Sequence, residues 1–380
     1  MNKTPKIFVD AHCFDGVFQG SRTFIKGIYG AGELLGDWQV YLGARDLGNL
    51  KQQFPNLPSE RFIRYRSGNP FIRLAVEIPW ILKKYGFDFA HFQYVSPLFR
   101  YCNYIVTTHD ILFEEFRDDF PFHYRMMRSF LFRSCLKKAR ISTTPSPYCR
   151  ERISHIYRVP PDVVCVIPNG VHNSFSFDMR RRSMATDVIK QKYGVRNFIL
   201  CVNRIEPRKN HELLLRTFLE LELYHRGISL VFIGSAAFSS GSFLEKLASL
   251  PMDIKGFVSY YPFVSQEDLI CFYRAARLFV YPSRAEGFGI PPLEAAALGT
   301  PVLCANTTAM AAYTFFQNNL FDPADPIEFK RKLHGSLAEG YDEKRLSWIS
   351  RVVRDEYSWD KSRERLRQVI EATRCRSLQS

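Results

Sequence analysis

Short apolar runs that end in polar, loop-forming residues recur along the whole chain, with longer amphipathic stretches between them. KIFVD, WQVYL, FDFAHFQ, NYIVTTHD, RISTTPS and VVCVIPNG fall in the first half, separated by helix-length segments such as 71–85, 122–138 and 147–157. A run of four to eight apolar residues has the length of a strand buried on both faces. Joining such strands in parallel needs a crossover of a dozen or more residues, usually a helix. The rhythm therefore predicts parallel sheets covered by helices, an α/β fold. After a polar stretch around 179–187 it restarts with NFILCVN, ISLVFIG, DIKGFVS, RLFVYPS and TPVLCAN, interleaved with helix candidates at 210–224, 242–250, 265–276 and 291–298. At ~100–200 residues per domain, 380 residues fit two such units. The expected division is 1–175 and 176–358, with a terminal segment, 359–380, that carries a helix at 361–374. In open α/β sheets ligands sit beyond the carboxyl ends of the strands, so the residues that follow each strand are the candidates for function.

The most informative of these is SRAEGFGIPPLE, residues 283–294, which follows the apolar run LFVYP. Gly287 and Gly289 precede Pro291, Pro292 and a helix-prone LEAAALG. Proline fits the first turn of a helix, where no amide donor is needed. The segment thus spells strand, glycine-rich loop, helix start. Such a turn offers backbone N–H groups and the positive end of a helix dipole to an anion, with the amides of Gly287, Phe288 and Gly289 nearest to it. Glu286 and Glu294 bracket the loop, and carboxylates are natural acceptors for sugar hydroxyls. Taken singly they would be a solvated loop residue and a helix-surface residue. A second candidate, NRIEPRKN at 203–210, follows NFILCV and puts Arg204, Arg208 and Lys209 at the end of another strand. Fixed cations at such a place stabilise a departing phosphate.

EGFGIPPLEAAALGTPV, with seven residues between Glu286 and Glu294, resembles the E-x7-E signature of retaining GT-B glycosyltransferases of the family 4 type. NRIEPRKN resembles the element in which that family places an Arg and a Lys on the donor diphosphate, here Arg204 and Lys209, although Asn203 stands where the family often has Gly. The resemblance is looser in the first half. Gly20, in FQGSRTF, lies where the family has a glycine-rich loop under the donor phosphates, and His109-Asp110, at the end of NYIVTTHD, matches its HD element. The resemblance implies a GT-B fold, two Rossmann-like domains facing across a donor-binding cleft, with the last helix crossing back to the first domain. It implies a retaining, metal-independent transferase: Arg204 and Lys209 on the diphosphate, Glu286 on the transferred sugar, Glu294 on the ribose, His109 and Asp110 near the sugar or acceptor. RIEPRKN together with the HD element looks most like mannosyltransferases of polysaccharide or O-antigen assembly. This implies GDP-mannose as donor, no further cofactor, and a growing glycan or lipid-linked saccharide as acceptor. The alternatives are a UDP- or dTDP-sugar-dependent transferase, a nucleotide-sugar epimerase, and a non-catalytic sugar-nucleotide binder of the same fold.

Composition narrows the remaining classes. A net charge of +14 favours anionic partners. No recognisable nucleic-acid motif or dense basic stripe supports a nucleic-acid partner. The nine cysteines form no CxxC pair, which argues against a structural zinc site, and several lie in apolar runs as free thiols would in a reducing compartment. MNKTPKIFVDAH lacks a signal-peptide apolar core, and no run of ~18 apolar residues is present. The expected location is cytoplasmic. The aromatic and basic stretch 122–140 has two readings: a helix with a solvated basic face, or a peripheral contact with anionic lipid on the cytoplasmic face of the inner membrane.

Overall fold

A computed structural model describes residues 4–16, 20–30, 38–117, 120–237, 240–338 and 342–379, with side chains described to residue 375. Two units are present, Met1–Gly170 with Trp359–Ser380, and Val171–Ser358.

The first unit is built on seven parallel strands: β1 (Lys6–Asp10), β2 (Gln39–Ala44), β3 (Phe62–Arg64), β4 (Phe89–Gln93), β5 (Asn103–Thr107), β6 (Ile141–Thr144) and β7 (Val164–Val166). They are ordered β3-β2-β1-β4-β5-β6-β7. The second holds β8 (Phe198–Val202), β9 (Ser229–Ile233), β10 (Val258–Tyr261), β11 (Leu278–Tyr281), β12 (Val302–Ala305) and β13 (Leu320–Phe321). Their order is β10-β9-β8-β11-β12-β13, again all parallel. Each sheet starts in its middle, grows to one edge, then returns and grows to the other. That is the doubly wound Rossmann-type order, and its switch points fall between β1 and β4 and between β8 and β11. Strand β8 is buried along its whole length, as a strand with helices on both faces must be.

Every expected strand core lies within an observed strand except in DIKGFVS. There Met252–Lys255 is a helical turn started by Pro251, and β10 begins only at Val258. Strands β3 and β13 are edge strands of three and two residues, too short to show a periodic pattern. The polar stretch around 179–187 belongs to a helix, Met179–Tyr193, capped by Asp178, whose side chain accepts from the amides of Arg180 and Arg181. Its buried stripe is thin, with Ala185 and Ile189 alone reaching the core, so an apolar period is hard to see. The helical stretch from Pro70 to Tyr85 widens into a π-turn at Arg73–Glu77. Pro79 lacks an amide hydrogen and its ring crowds the preceding turn, which is a known cause of such widening.

The second unit begins at Val171 rather than at 176. The Val171 amide donates to the Tyr357 carbonyl at 2.8 Å, and Val171 and Phe175 pack into the second core. The terminal helix Trp359–Gln379 belongs to the first unit. Trp359, Leu366 and Ile370 complete the core around Phe24 and Ile28, and Ser362 Oγ donates to the Pro168 carbonyl at 2.7 Å. None of the nine cysteines is in a disulfide, and five are buried. Among the described residues no helix is long and apolar enough to cross a membrane.

Candidate active site

The loops that follow β8 and β11 leave neighbouring strands at the switch point of the second sheet, and they are tied to each other. The Arg284 amide donates to the Arg208 carbonyl at 2.9 Å, and Arg208 Nη1 donates to the Ala285 carbonyl at 2.5 Å. A one-turn helix, Pro207–Lys209, ends at Asn210 in the left-handed region, which Asn tolerates better than most residues. This turn brings Lys209 inward, where its Nζ donates to Glu286 Oε1 at 2.5 Å. The Tyr281 hydroxyl donates to the same oxygen at 2.8 Å, Arg208 Nη1 lies 3.6 Å from Oε2, and the Glu286 amide donates to Thr308 Oγ1 at 2.9 Å.

Glu286 and Lys209 are both buried. Burial by itself would raise the Glu286 carboxyl, but the charges of Lys209 and Arg208 reverse this and hold it below the ordinary glutamate range. Glu286 is therefore an anion at neutral pH with lone pairs committed to fixed donors. Arg204 behaves differently: it is exposed and makes no ion pair with any described residue, so its charge is available to a ligand. Asn203 is buried, and its Nδ2 has no hydrogen-bond partner among the described residues.

The glycine-rich turn delivers the helix start expected of it. Gly289 caps the helix Ile290–Ala297 with φ of +88°, a conformation that L side chains rarely adopt, and a Cβ there would meet Met310 Cγ at 3.0 Å. Pro291 fills the first turn. Tyr313 fixes the loop from behind by donating its hydroxyl to the Phe288 carbonyl at 2.5 Å. With the carbonyls turned toward Tyr313, this end of the helix keeps the positive pole that attracts an anion. Glu294 lies a turn into the helix and is half-buried. Burial pushes its carboxyl up to about 7, against the lowering effect of the Tyr273 hydroxyl, which donates to Oε2 at 3.0 Å. Two carboxylates of one motif thus shift in opposite directions: burial raises both, but beside Glu286 two cations overcome it, while beside Glu294 a single phenol does not.

In the first unit, His109 and Asp110 follow β5. His109 Nε2 donates to Gln93 Oε1 at 2.6 Å, and its ring meets Phe24 and Tyr94 edge-on. Burial lowers the imidazole to about 4, with Asp110 acting in the opposite sense, so it is neutral at pH 7 and Nδ1 carries the lone pair. Asp110 accepts from the Leu112 amide and from the Tyr94 hydroxyl, both at 3.2 Å; it caps the next turn as well as lying beside His109. Gly20 opens the helix Gly20–Tyr29, is exposed, and a Cβ there would meet no described neighbour within 4 Å. His91 is core: its ring nitrogens bond the hydroxyls of Tyr29 and Thr107.

Thus Glu286, Lys209 and the 287–289 turn come together, Glu294 lies on the helix behind them, and Arg204 stands at the head of the same loop. Tyr281, Thr308, Tyr313 and Tyr273 were not singled out by the sequence. Tyr281 is the last residue of the strand that leads into the motif, a position that marks it; Thr308 and Tyr313 follow β12, where nothing in the sequence does. Among the described residues no group of three or more His, Cys, Asp or Glu side chains is placed to hold a metal ion.

A Rossmann-type unit with a helix start of anion-binding geometry and the exposed Arg204 at its switch point has the features of a phosphate- or nucleotide-binding α/β protein. Two family models match the chain, "Glycosyl transferases group 1" over residues 185–355 and "Glycosyltransferase Family 4" over residues 35–175. The O-antigen chain mannosyltransferase B of Escherichia coli is 30% identical over 255 residues, covering 65% of this chain and 64% of that protein. The serotype-specific mannosyltransferase WbdA of Escherichia coli is 30% identical over 174 residues, 45% of this chain and 21% of that protein. The matches thus span less than two thirds of these relatives' own length. Among solved structures, Anabaena HepE in complex with UDP-glucose superposes with a TM-score of 0.73 at 16% identity, covering 97% of this chain and 98% of that one, a likeness of fold. The chain belongs to the GT-B glycosyltransferases of the family 4 type.

Proposed function

We propose that the protein is a retaining glycosyltransferase that moves a hexose, mannose from GDP-mannose, onto a growing glycan or lipid-linked saccharide in polysaccharide or O-antigen assembly. The observation that carries the reading is the buried Lys209–Glu286 pair beneath an unpaired Arg204 and an anion-binding helix start, all at one switch point. Arg204 and the amides of Gly287, Phe288 and Gly289 receive the diphosphate, assisted by Lys209, and stabilise the charge it gains as the sugar leaves. These cations supply positive charge where other transferases use a metal, and no further cofactor enters. Glu286, held by Lys209 and Tyr281, positions the sugar; Glu294 accepts from the ribose. The family resemblance assigns His109, neutral at pH 7, and Asp110 to the sugar or acceptor, and Gly20 to the donor phosphates. The leaving phosphate takes the acceptor proton on the same face, so the two glutamates are not the acid and base of a hydrolase. The mannosyltransferase names of the relatives favour mannose, while the UDP-glucose bound by HepE keeps a UDP-sugar as the second reading.

Thermal melting with GDP-, UDP- and dTDP-linked sugars, with ATP and single-stranded DNA as controls, tests the donor. A ligand that binds only the folded state raises its stability with occupancy. The largest shift is expected with GDP-mannose; a larger shift with a UDP- or dTDP-sugar reassigns the donor, and a shift with DNA alone removes the reading.

The same proposal places the chain on the cytoplasmic face of a membrane. The helix Phe122–Lys138 buries Phe132, Cys135 and Leu136, yet leaves Phe122, Met126, Met127 and Phe130 exposed, Phe130 to 70%. Arg125, Arg128, Arg133, Lys137 and Lys138 share the helix, and residues 121–150 contain no Asp or Glu. Exposed aromatics among cations suit an anionic lipid interface. Flotation should show binding to anionic but not zwitterionic vesicles, weakening with salt; equal behaviour toward both removes this placement.

A further inference from the structure

The first unit contains a second constellation that the donor reading does not use. A pocket of about 270 Å³ opens at the carboxyl ends of β1, β2 and β3, where His12, Asp15, Arg45, Ser67 and Arg73 line it. Behind three of the lining residues, His12, Tyr65 and Arg73, lies Asp10, the last residue of β1 and buried. The Tyr65 hydroxyl donates to Asp10 Oδ1 at 2.9 Å, and it gets there by crossing Gly43, the residue paired with Asp10 on β2. A Cβ at Gly43 would lie 2.5 Å from that hydroxyl, so the contact depends on glycine. The other Asp10 oxygen faces His12 Nδ1 at 3.1 Å and Arg73 Nε at 3.7 Å. Burial opposes ionisation of Asp10, but His12, Arg73 and Tyr65 together lower its carboxyl to about 2.

This arrangement orients His12. The 3.1 Å contact turns Nδ1 toward the carboxylate and leaves Nε2 on the far side of the ring. The mouth of the pocket is cationic. Arg45 is exposed with no ion pair to any described residue. Asp15, the one acid lining it, already accepts from the backbone amides of Arg45 and Asp46, at 2.8 and 2.7 Å. Guanidinium groups match carboxylate and phosphate oxygens in planar pairs. At 270 Å³ the pocket lies just below the usual range of roughly 300–1,000 Å³ for small-molecule sites. That is room for one sugar ring rather than a whole nucleotide sugar.

We infer that this pocket is an acceptor subsite for a saccharide bearing an oxyanion, carboxylate or phosphate, with Arg45 and Arg73 on the anion and His12 hydrogen-bonding a neighbouring hydroxyl. The assignment to an acceptor rests on the transferase reading above; the binding chemistry does not. Titration calorimetry of the full chain with glucuronic acid, mannose 6-phosphate and mannose tests it. One charged sugar binds at least roughly tenfold more tightly than mannose, and Arg45→Ala removes that preference. A uronate preference identifies a carboxylate acceptor, and a preference for the phosphate identifies a phosphorylated one. Lys209→Met leaves the charged-sugar affinity unchanged, and Arg45→Ala leaves GDP-mannose binding unchanged, so the two sites fail separately. Equal binding of all three sugars, or charged-sugar binding lost in Lys209→Met and kept in Arg45→Ala, overturns the subsite. Loss of nucleotide-sugar binding alone overturns the transferase reading instead.

Discussion

Replacing Lys209 by Met strikes the centre of the proposed donor site and has a magnitude that the geometry supplies. The Lys209–Glu286 pair is 2.5 Å long, and the side chains are 11% and 10% exposed, so solvent screens it little. Removing one partner of a buried pair costs about 3–5 kcal/mol, because the remaining charge stays buried. Arg208 at 3.6 Å and the Tyr281 hydroxyl still face Glu286, which puts the expected loss at the lower end, ~3 kcal/mol. At roughly 2–4 °C per kcal/mol for a unit of this size, the second unit should melt about 6–12 °C lower. Adding Glu286→Gln removes the orphaned charge, and the double variant should recover most of the loss. The pH dependence has a definite sign. Glu286 has a folded pKa below its ordinary value of 4.5, so its stabilisation is present above that value and disappears as pH falls through the lowered one. The gap between wild type and Lys209→Met should therefore close on acidification below pH ~4.5. Scanning calorimetry of the three proteins reads all of this. Melting of Lys209→Met within a degree or two of wild type at pH 7, or a double variant weaker than the single, would show that the pair does not hold the loops together.

Other consequences are narrower. Glu294 rises from 4.5 to about 7 in the folded chain, so its contribution to stability is complete below 4.5 and is lost as pH rises through about 7, at most ~3 kcal/mol at 1.36 kcal/mol per unit. Glu294→Gln should flatten the stability profile between those values, seen in urea melts at each pH; an unchanged slope means Glu294 is not the titrating group. If the Glu294 carboxylate accepts from the ribose, donor KM should fall as pH rises through about 7 in the wild type and stay level in Glu294→Gln. His109 is depressed to about 4 from 6.5, so the stability it contributes as a neutral ring is present above 6.5 and is lost as pH falls toward 4. Its imidazole resonances in a proton NMR titration should stay in the neutral form at pH 6; a midpoint near 6.5 would mean the ring is solvated.

Both sheets were legible because parallel strands buried on two faces announce themselves as apolar runs. Elements whose stability comes from elsewhere were not. Strands β3 and β13 exist because a neighbouring strand pairs with them, and the helix Met179–Tyr193 is specified by its Asp178 cap more than by its two buried residues. At the site, Glu286, Glu294 and the cations stand in contiguous motifs, so their types and order could be read directly. Their pairing could not. That Lys209 turns inward while Arg204 stays exposed depends on the single helical turn at Pro207–Lys209. The supports Thr308 and Tyr313 come from a segment whose sequence carries no mark of function, since backing a loop requires only a hydroxyl at the right place. His12, Tyr65 and Arg73, and the Asp10 behind them, come from three separate stretches, and only the β3-β2-β1 order brings them together.

The account's central claim is retention of configuration at a nucleotide-sugar site, and it can be tested without knowing the acceptor. Transferases release some donor sugar to water, and proton NMR of fresh GDP-α-mannose with the protein identifies the first anomer formed. The account predicts α-mannose ahead of mutarotation, and less of it with Lys209→Met. First appearance of β-mannose, or conversion of the donor into an isomeric nucleotide sugar without release, would contradict it.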